Sequence, residues 1–203
     1  MNPIALLPST PALHLKVSAM PRIAIAVLLF GLLPASAYAA GAPPACTALT
    51  EKEALALVGG PLGAVSREQV KPTAENGHDV ADGCGYFPKG YDFAQADGPP
   101  ERGIMVTLHS MPDGEAAKRF YNQMFKMAGM SVGAQPGVSI APVSGLGEGA
   151  YLQLMTLDSK PPVRLANIGF YKGGVMGLMQ VWLKGPPGEV AQKAAKGIIS
   201  KLP

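Results

Sequence analysis

Hydrophobic and polar positions change their period repeatedly along this chain, and each change marks an element. The plainest is helical. Between Pro112-Asp113 and Gly129, a step of 100° per residue puts Ala117, Phe120, Tyr121, Met124, Phe125 and Ala128 on one arc. Lys118, Arg119, Asn122, Gln123 and Lys126 fill the opposite arc, so a helix over Gly114–Ala128 lies on something apolar and is closed by Gly129. A shorter helix opens at Thr50-Glu51-Lys52-Glu53, a capping box in which the Thr50 hydroxyl and the Glu53 carboxylate each serve the other's backbone N–H. Ala54, Leu55 and Val58 continue it, and Gly59-Gly60-Pro61 ends it. A last helix follows Pro186-Pro187, with Val190, Ala194, Ile198 and Leu202 at i, i+4 spacing.

Between the helices the period falls toward two. Leu62–Val70, Cys84–Phe87 and Ile104–His109 read as strands, the last two separated by a Pro-containing connection over Tyr91–Arg102. Ala150–Leu157, Val163–Tyr171 and Val175–Leu183 form a second set, with Asp158–Pro162 and Lys172-Gly173-Gly174 as turns and room for one more strand before them. The final run, VMGLMQVWL, is apolar at nearly every position, as a strand covered on both faces is. Short links between successive strands favour antiparallel pairing. The expected fold is α+β: an antiparallel sheet of about six strands flanked by helices in an α/β/α sandwich. The repeated order of a helix and three strands hints at a duplication, although no sequence period supports it.

The first 39 residues differ in kind. Their only fixed charges are Lys16 and Arg22, and Ile23–Leu33 is an uncharged run too short to span a membrane and about right for the apolar region of a signal peptide. Pro34 breaks the run, and Ala37-Tyr38-Ala39 offers small residues where a signal peptidase reads, so cleavage is expected after Ala39. Met20-Pro21-Arg22 would give a shorter, more conventional start. The expected organisation is a signal peptide over 1–39, a Pro-rich leader over 40–45 and a single domain over 46–203.

Composition then narrows the partners. The chain of 203 residues is 48% hydrophobic and only 15% charged, too apolar for disorder along its length. Its net charge of +3 falls to +1 once Lys16 and Arg22 leave with the signal peptide, and no stretch interleaves cations with aromatics, so no nucleic-acid partner is expected. Cys46 and Cys84, a single pair in an exported chain, predict a disulfide. A competing reading makes Cys46 a lipidated N-terminus, but Pro43-Pro44-Ala45 lacks the aliphatic residue such a signal carries, and Cys84 would be stranded.

These landmarks carry a resemblance. Cys46-Thr47-Ala48-Leu49-Thr50, the acidic short helix, Gly59-Gly60 and Cys84-Gly85-Tyr86, with Gly145-Leu146-Gly147-Glu148-Gly149-Ala150, resemble a secreted envelope domain family of unknown function common among actinobacterial lipoproteins. The element order is similar to the sensor domains of mycobacterial receptor kinases and to PsbP/Mog1-like folds. The resemblance implies a small envelope domain that binds something, without catalytic residues to carry over.

Candidate chemistry is sparse. Gly145-x-Gly147-x-Gly149 precedes a strand, whereas a phosphate loop precedes a helix, so it reads as a turn. No G-x-S-x-G elbow or C-x-x-C pair is present. His78, Asp79 and Asp82, with His109, are too few for a convincing metal or acid–base site, and a catalytic site, cofactor or resident metal is not expected. The leading expectation is therefore an exported, non-catalytic binding or interaction module, periplasmic or secreted. Its groove would lie between the sheet and the covering helix, lined partly by methionine, for a small apolar ligand or an envelope protein, with the membrane touched only through the signal peptide. The alternative is a periplasmic Cu(I)/Ag(I)-binding protein using His109 and Met111, with Met124, Met127 and Met130 nearby.

Overall fold

A computed structural model describes residues 41–70, 80–92, 96–132 and 134–203, all within one unit that spans 36–203. The proposed signal peptide, including Ala37 and Ala39, and the His78-Asp79 pair lie outside the described residues. The order is α1 (Ala45–Ala48), α2 (Glu51–Val58), β1 (Leu62–Val70), β2 (Val80–Pro88), β3 (Arg102–Ser110), α3 (Gly114–Met130), β4 (Ser139–Pro142), β5 (Gly149–Leu157), β6 (Val163–Lys172), β7 (Val175–Leu183) and α4 (Gly188–Ile199). The strands make one sheet in the order β1-β2-β3-β7-β6-β5-β4, antiparallel at every pairing. The α+β expectation holds, with the short β4 as the extra strand. Two meanders meet at β3 and β7, paired from Arg102↔Leu183 to Ser110↔Val175. This central place explains why β7 is apolar at nearly every position.

One sheet face carries Ile104, Val106, Leu108, Ile168, Phe170, Met179 and Val181 under α1, α2 and α4. The other carries Tyr151, Tyr171 and Met176 under α3, and beyond it a cluster of Phe87, Val163, Leu165 and Trp182. A row of amides divides the second face. Asn167 donates to Gln153 at 2.9 Å, Gln180 donates to Asn167 at 3.1 Å, and Gln153 donates to Ser131 Oγ at 2.7 Å and the Ala128 carbonyl at 3.2 Å. The row fastens the end of α3 to the sheet. It also corrects the expected stop at Gly129: α3 runs to Met130, because Gly129 does not turn left-handed and Ser131 caps the Ala128 carbonyl at 2.6 Å.

Glycines inside the strands are covered by rings from the neighbouring strand. Phe170 lies over Gly177, Tyr151 over Gly169, Tyr171 over Gly149 and Phe87 over Gly103; each ring occupies the space a Cβ would need. An aromatic ring compensates for the missing side chain and fixes register. At the Gly145–Gly149 turn the requirement is backbone geometry: Gly147 has φ of +60°, and Glu148 N–H donates to the Tyr171 carbonyl at 2.9 Å. The glycine run is a turn into β5, as expected.

The N-terminal segment is clamped at several points. Cys46 and Cys84 form the disulfide, with Cα atoms 5.2 Å apart, which leaves no thiol for a lipid. Ala42 N–H donates to Ser110 Oγ at 2.9 Å and Ala45 N–H to Asp82 Oδ2 at 2.7 Å; the expected leader is thus partly packed, with Ala45 inside α1. The Tyr86 hydroxyl donates to the Leu49 carbonyl at 2.8 Å. The capping box forms, and Lys201, beyond α4, donates to Glu53 Oε1 at 2.7 Å and the Ala48 carbonyl at 2.9 Å. Bonds from Lys201 and then Thr50 hold the Glu53 carboxyl down at about 2, from an ordinary 4.5.

Four variants test this account. Alanine normally stabilises a strand or helix relative to glycine, but Gly177→Ala will destabilise by about 1–3 kcal/mol through overpacking against Phe170. Gly129→Ala, whose Cβ meets open space, will stabilise by up to about 1 kcal/mol; urea unfolding reads both. Replacing Cys46 and Cys84 together by serine will cost about 2–4 kcal/mol in the same measurement. Because Glu53 is depressed in the folded state, its contribution is whole above the ordinary carboxylate range and is lost as pH falls through about 2. Both partners of the Lys201–Glu53 bridge are more than a third exposed, so the gap between wild type and Glu53→Gln will be at most about 1 kcal/mol at neutral pH, and smaller near about pH 3.

Candidate functional site

Seven strands at roughly 4.8 Å spacing make a sheet about 29 Å wide, while a packed helix covers about 10 Å. On the first face α2 lies against β3 and α4 against β6 and β7, with the first residue of α4, Gly188, beside Leu152 and Leu154 of β5. Two clefts result, one on each side of α4.

The first is a trough of about 220 Å³ between α2 and α4. Ala48, Leu49, Ala194 and Ile198 are its buried lining, and Ala56, Leu57 and Gly197 form its upper walls. Small residues make it. Ala191, Ala194 and Ala195 let α4 sit close to the sheet, and a Cβ on Gly197 would meet nothing within 4 Å. The α2 wall is held by the clamp described above, and the Glu53–Lys201 bridge lies at the trough's edge. Tyr86 supports that wall from below: burial first, then the carboxylates of Glu51 and Glu53, push its phenol up, so it stays a donor to Leu49. On the α4 side the charged lining residue is Lys193. The charged groups of its lining are the Glu53 carboxylate, engaged by Thr50 and Lys201, and Lys193, so the arrangement suits binding an apolar group beside a cation.

The second cleft is a step of about 410 Å³ where α4 begins over β5. Half-buried Leu152 and Leu154 make its floor, and Arg164 and Glu189, of opposite sign, stand on its rim. It is larger, but its charges cancel.

The residues singled out in the sequence lie elsewhere. The space expected to be a groove between α3 and the sheet is filled by aromatic packing: Tyr121 lies 4.9 Å from Tyr171 and 5.7 Å from Tyr151, and Phe125 lies 5.3 Å from Tyr151. Burial, and then Tyr121, push the Tyr151 phenol up to about 12. The trough is on the opposite face and its side-chain lining is chiefly Ala, Leu and Ile, while the second cleft is lined by Leu152, Leu154 and Leu165 with one methionine, Met155, and several polar residues. The His109 ring packs 5.1 Å from Phe120, and Met111 and Met124 join the same cluster. Met127 and Met130, 55% and 71% exposed, lie toward the other end of α3 and are not among the members of that cluster. Among the described residues no three of His, Cys, Asp and Glu group to hold a metal ion. Asp82 serves the backbone of Ala45 instead of a site. The trough was missed because Ala56 and Gly197 look unremarkable singly; only the pairing of α2 with α4 joins them.

No protein-family model matches this chain, and no curated protein does. Among solved structures it is similar to the extracellular domain of PknH from Mycobacterium tuberculosis, at 11% identity and a TM-score of 0.40, over 79% of this chain and 98% of that one. A likeness this loose transfers no function.

Proposed function

We propose that this chain is an exported, non-catalytic binding module of the cell envelope whose site is the α2–α4 trough, and that residues 1–39 are its removable signal peptide. Its ligand is a small apolar molecule or the apolar part of a larger one. The observation that carries this reading is the trough itself: an apolar surface left open between two helices whose positions are fixed. The disulfide beneath one wall supports export, since such bonds persist in oxidising compartments. The metal alternative is not favoured, because the residues it needs are dispersed along α3 or engaged in packing.

Gly197→Phe isolates the site from the fold. Phenylalanine is no worse than glycine inside a helix, and its Cβ would meet nothing within 4 Å at the trough's wall. Wild-type protein will bind the apolar fluorophore N-phenyl-1-naphthylamine with a blue-shifted emission, and Gly197→Phe will lose at least about 80% of that signal with unfolding free energy within about 1 kcal/mol of wild type. Equal dye binding by a folded Gly197→Phe variant would remove the trough as the site.

A further inference from the structure

The lining of the trough also constrains the chemistry of its occupant, on the premise that the trough is the binding site. At about 220 Å³ it falls below the roughly 300–1,000 Å³ of sites that enclose a drug-sized ligand, so it takes one part of a molecule and leaves the rest outside. Its walls are one turn of α2, Glu53 to Leu57, and the stretch of α4 from Lys193 to Ile198, each about 6–8 Å of helix, which suits one apolar chain and not two.

Its charges are unequal in availability. Lys201 is consumed: its ammonium is shared between Glu53 and the Ala48 carbonyl, and Glu53 is further engaged by Thr50. Lys193 lies on α4 one turn before Gly197, so the two positions share one side of the helix. Among the described residues it pairs with no carboxylate. Glu189, four residues earlier, lines the other cleft and makes no bridge to it. Leaving Glu53 and Lys201 to neutralise one another, the trough carries one surplus positive charge. A lysine stem follows apolar surface while its head stays in water, so Lys193 can meet an anionic group outside the trough.

We infer that the trough receives the single apolar chain of an anionic amphiphile, the chain lying between α2 and α4 and the anionic head paired with Lys193. A carboxylate or a phosphate monoester would satisfy that pairing. A zwitterionic two-chain lipid fits neither the volume nor the surplus charge.

The probes are decanoate, decyl maltoside and decyltrimethylammonium, each below its micelle concentration, titrated into the oxidised protein while the methyl resonances of Ala194 and Ile198 are followed. Decanoate will bind most tightly, Lys193→Met will weaken it about fivefold by removing one exposed charge pair while keeping the stem, and decyl maltoside will not distinguish the two proteins. Decyl phosphate in place of decanoate separates the two head groups, and tighter binding of either agrees with the inference. If decanoate and decyl maltoside bind alike to wild type and Lys193→Met, while Gly197→Phe abolishes both, the anionic-head inference is wrong and the trough reading survives. If the shifts appear at Leu152 and Leu154, or Gly197→Phe leaves decanoate binding unchanged, both readings fail together.

Discussion

The width of the sheet relative to its helical cover is the constraint from which the rest of this molecule follows. Seven strands need three helices' breadth on each face, and the first face receives two, the α1–α2 unit and α4. An apolar sheet with incomplete cover must either expose its residues or bring the helices together over its middle. This protein does both. The middle, β3-β7-β6, is sealed by Ala54, Val58, Ala191 and Ile198, while Leu152 and Leu154 on β5 remain half exposed. The trough is the remaining misfit between α2 and α4, and its depth depends on alanine and glycine where larger residues would have filled it.

A misfit becomes a site only if it has one shape, and here shape depends on the ends of the chain. α2 is eight residues long, too short to persist alone in water. It is fixed by its neighbours: the disulfide through α1, Tyr86 through the Leu49 carbonyl, and Lys201 from the opposite end of the chain. The bridge between Lys201 and Glu53 is half in solvent and contributes little energy, yet it joins the segment after α4 to the start of α2 and so ties the two walls to each other. Its second bond, to a helix-end carbonyl, meets a need that water would otherwise serve.

Much of this was legible in the sequence. β1 and β7 were bounded to the residue, the capping box at Thr50 and the disulfide were evident, and the helical arc over α3 named the residues that pack beneath it. What failed had local causes. Gly83 and Gly85 interrupt alternation, so β2 looked shorter than its nine residues; Gly85 is tolerated because the Phe87 ring fills the space above it. Gly129 read as a stop because glycine usually is one, and α1 was hidden by its brevity and by the prolines before it. Gln153, Asn167 and Gln180 each passed for an ordinary polar position, and only register aligns them into a row. The site was the least legible part, since a cleft is a relation between elements distant in sequence. Periodicity identified an apolar face on α3, and the apolar face was filled.

That last point bears on how such a protein acquires specificity. The face under α3 is rich in tyrosine and amide, groups with directional demands, and the structure uses them up internally: the rings pack on one another and the amides bond in sequence to the end of the helix. The trough has few such groups. Apart from Glu53 and Lys193 its lining is aliphatic, so under the proposed function shape and the charge of Lys193 would be left to discriminate among ligands, and one methylene more or less in an apolar pocket alters affinity only modestly. A site built this way selects by class and not by individual compound. It also makes the trough's shape conditional on the covalent state of its wall: the Cys46–Cys84 bond holds α1, and through it α2, against the sheet. The shape of the trough then depends on one pair of sulfur atoms, and a reduced chain would present a less fixed one.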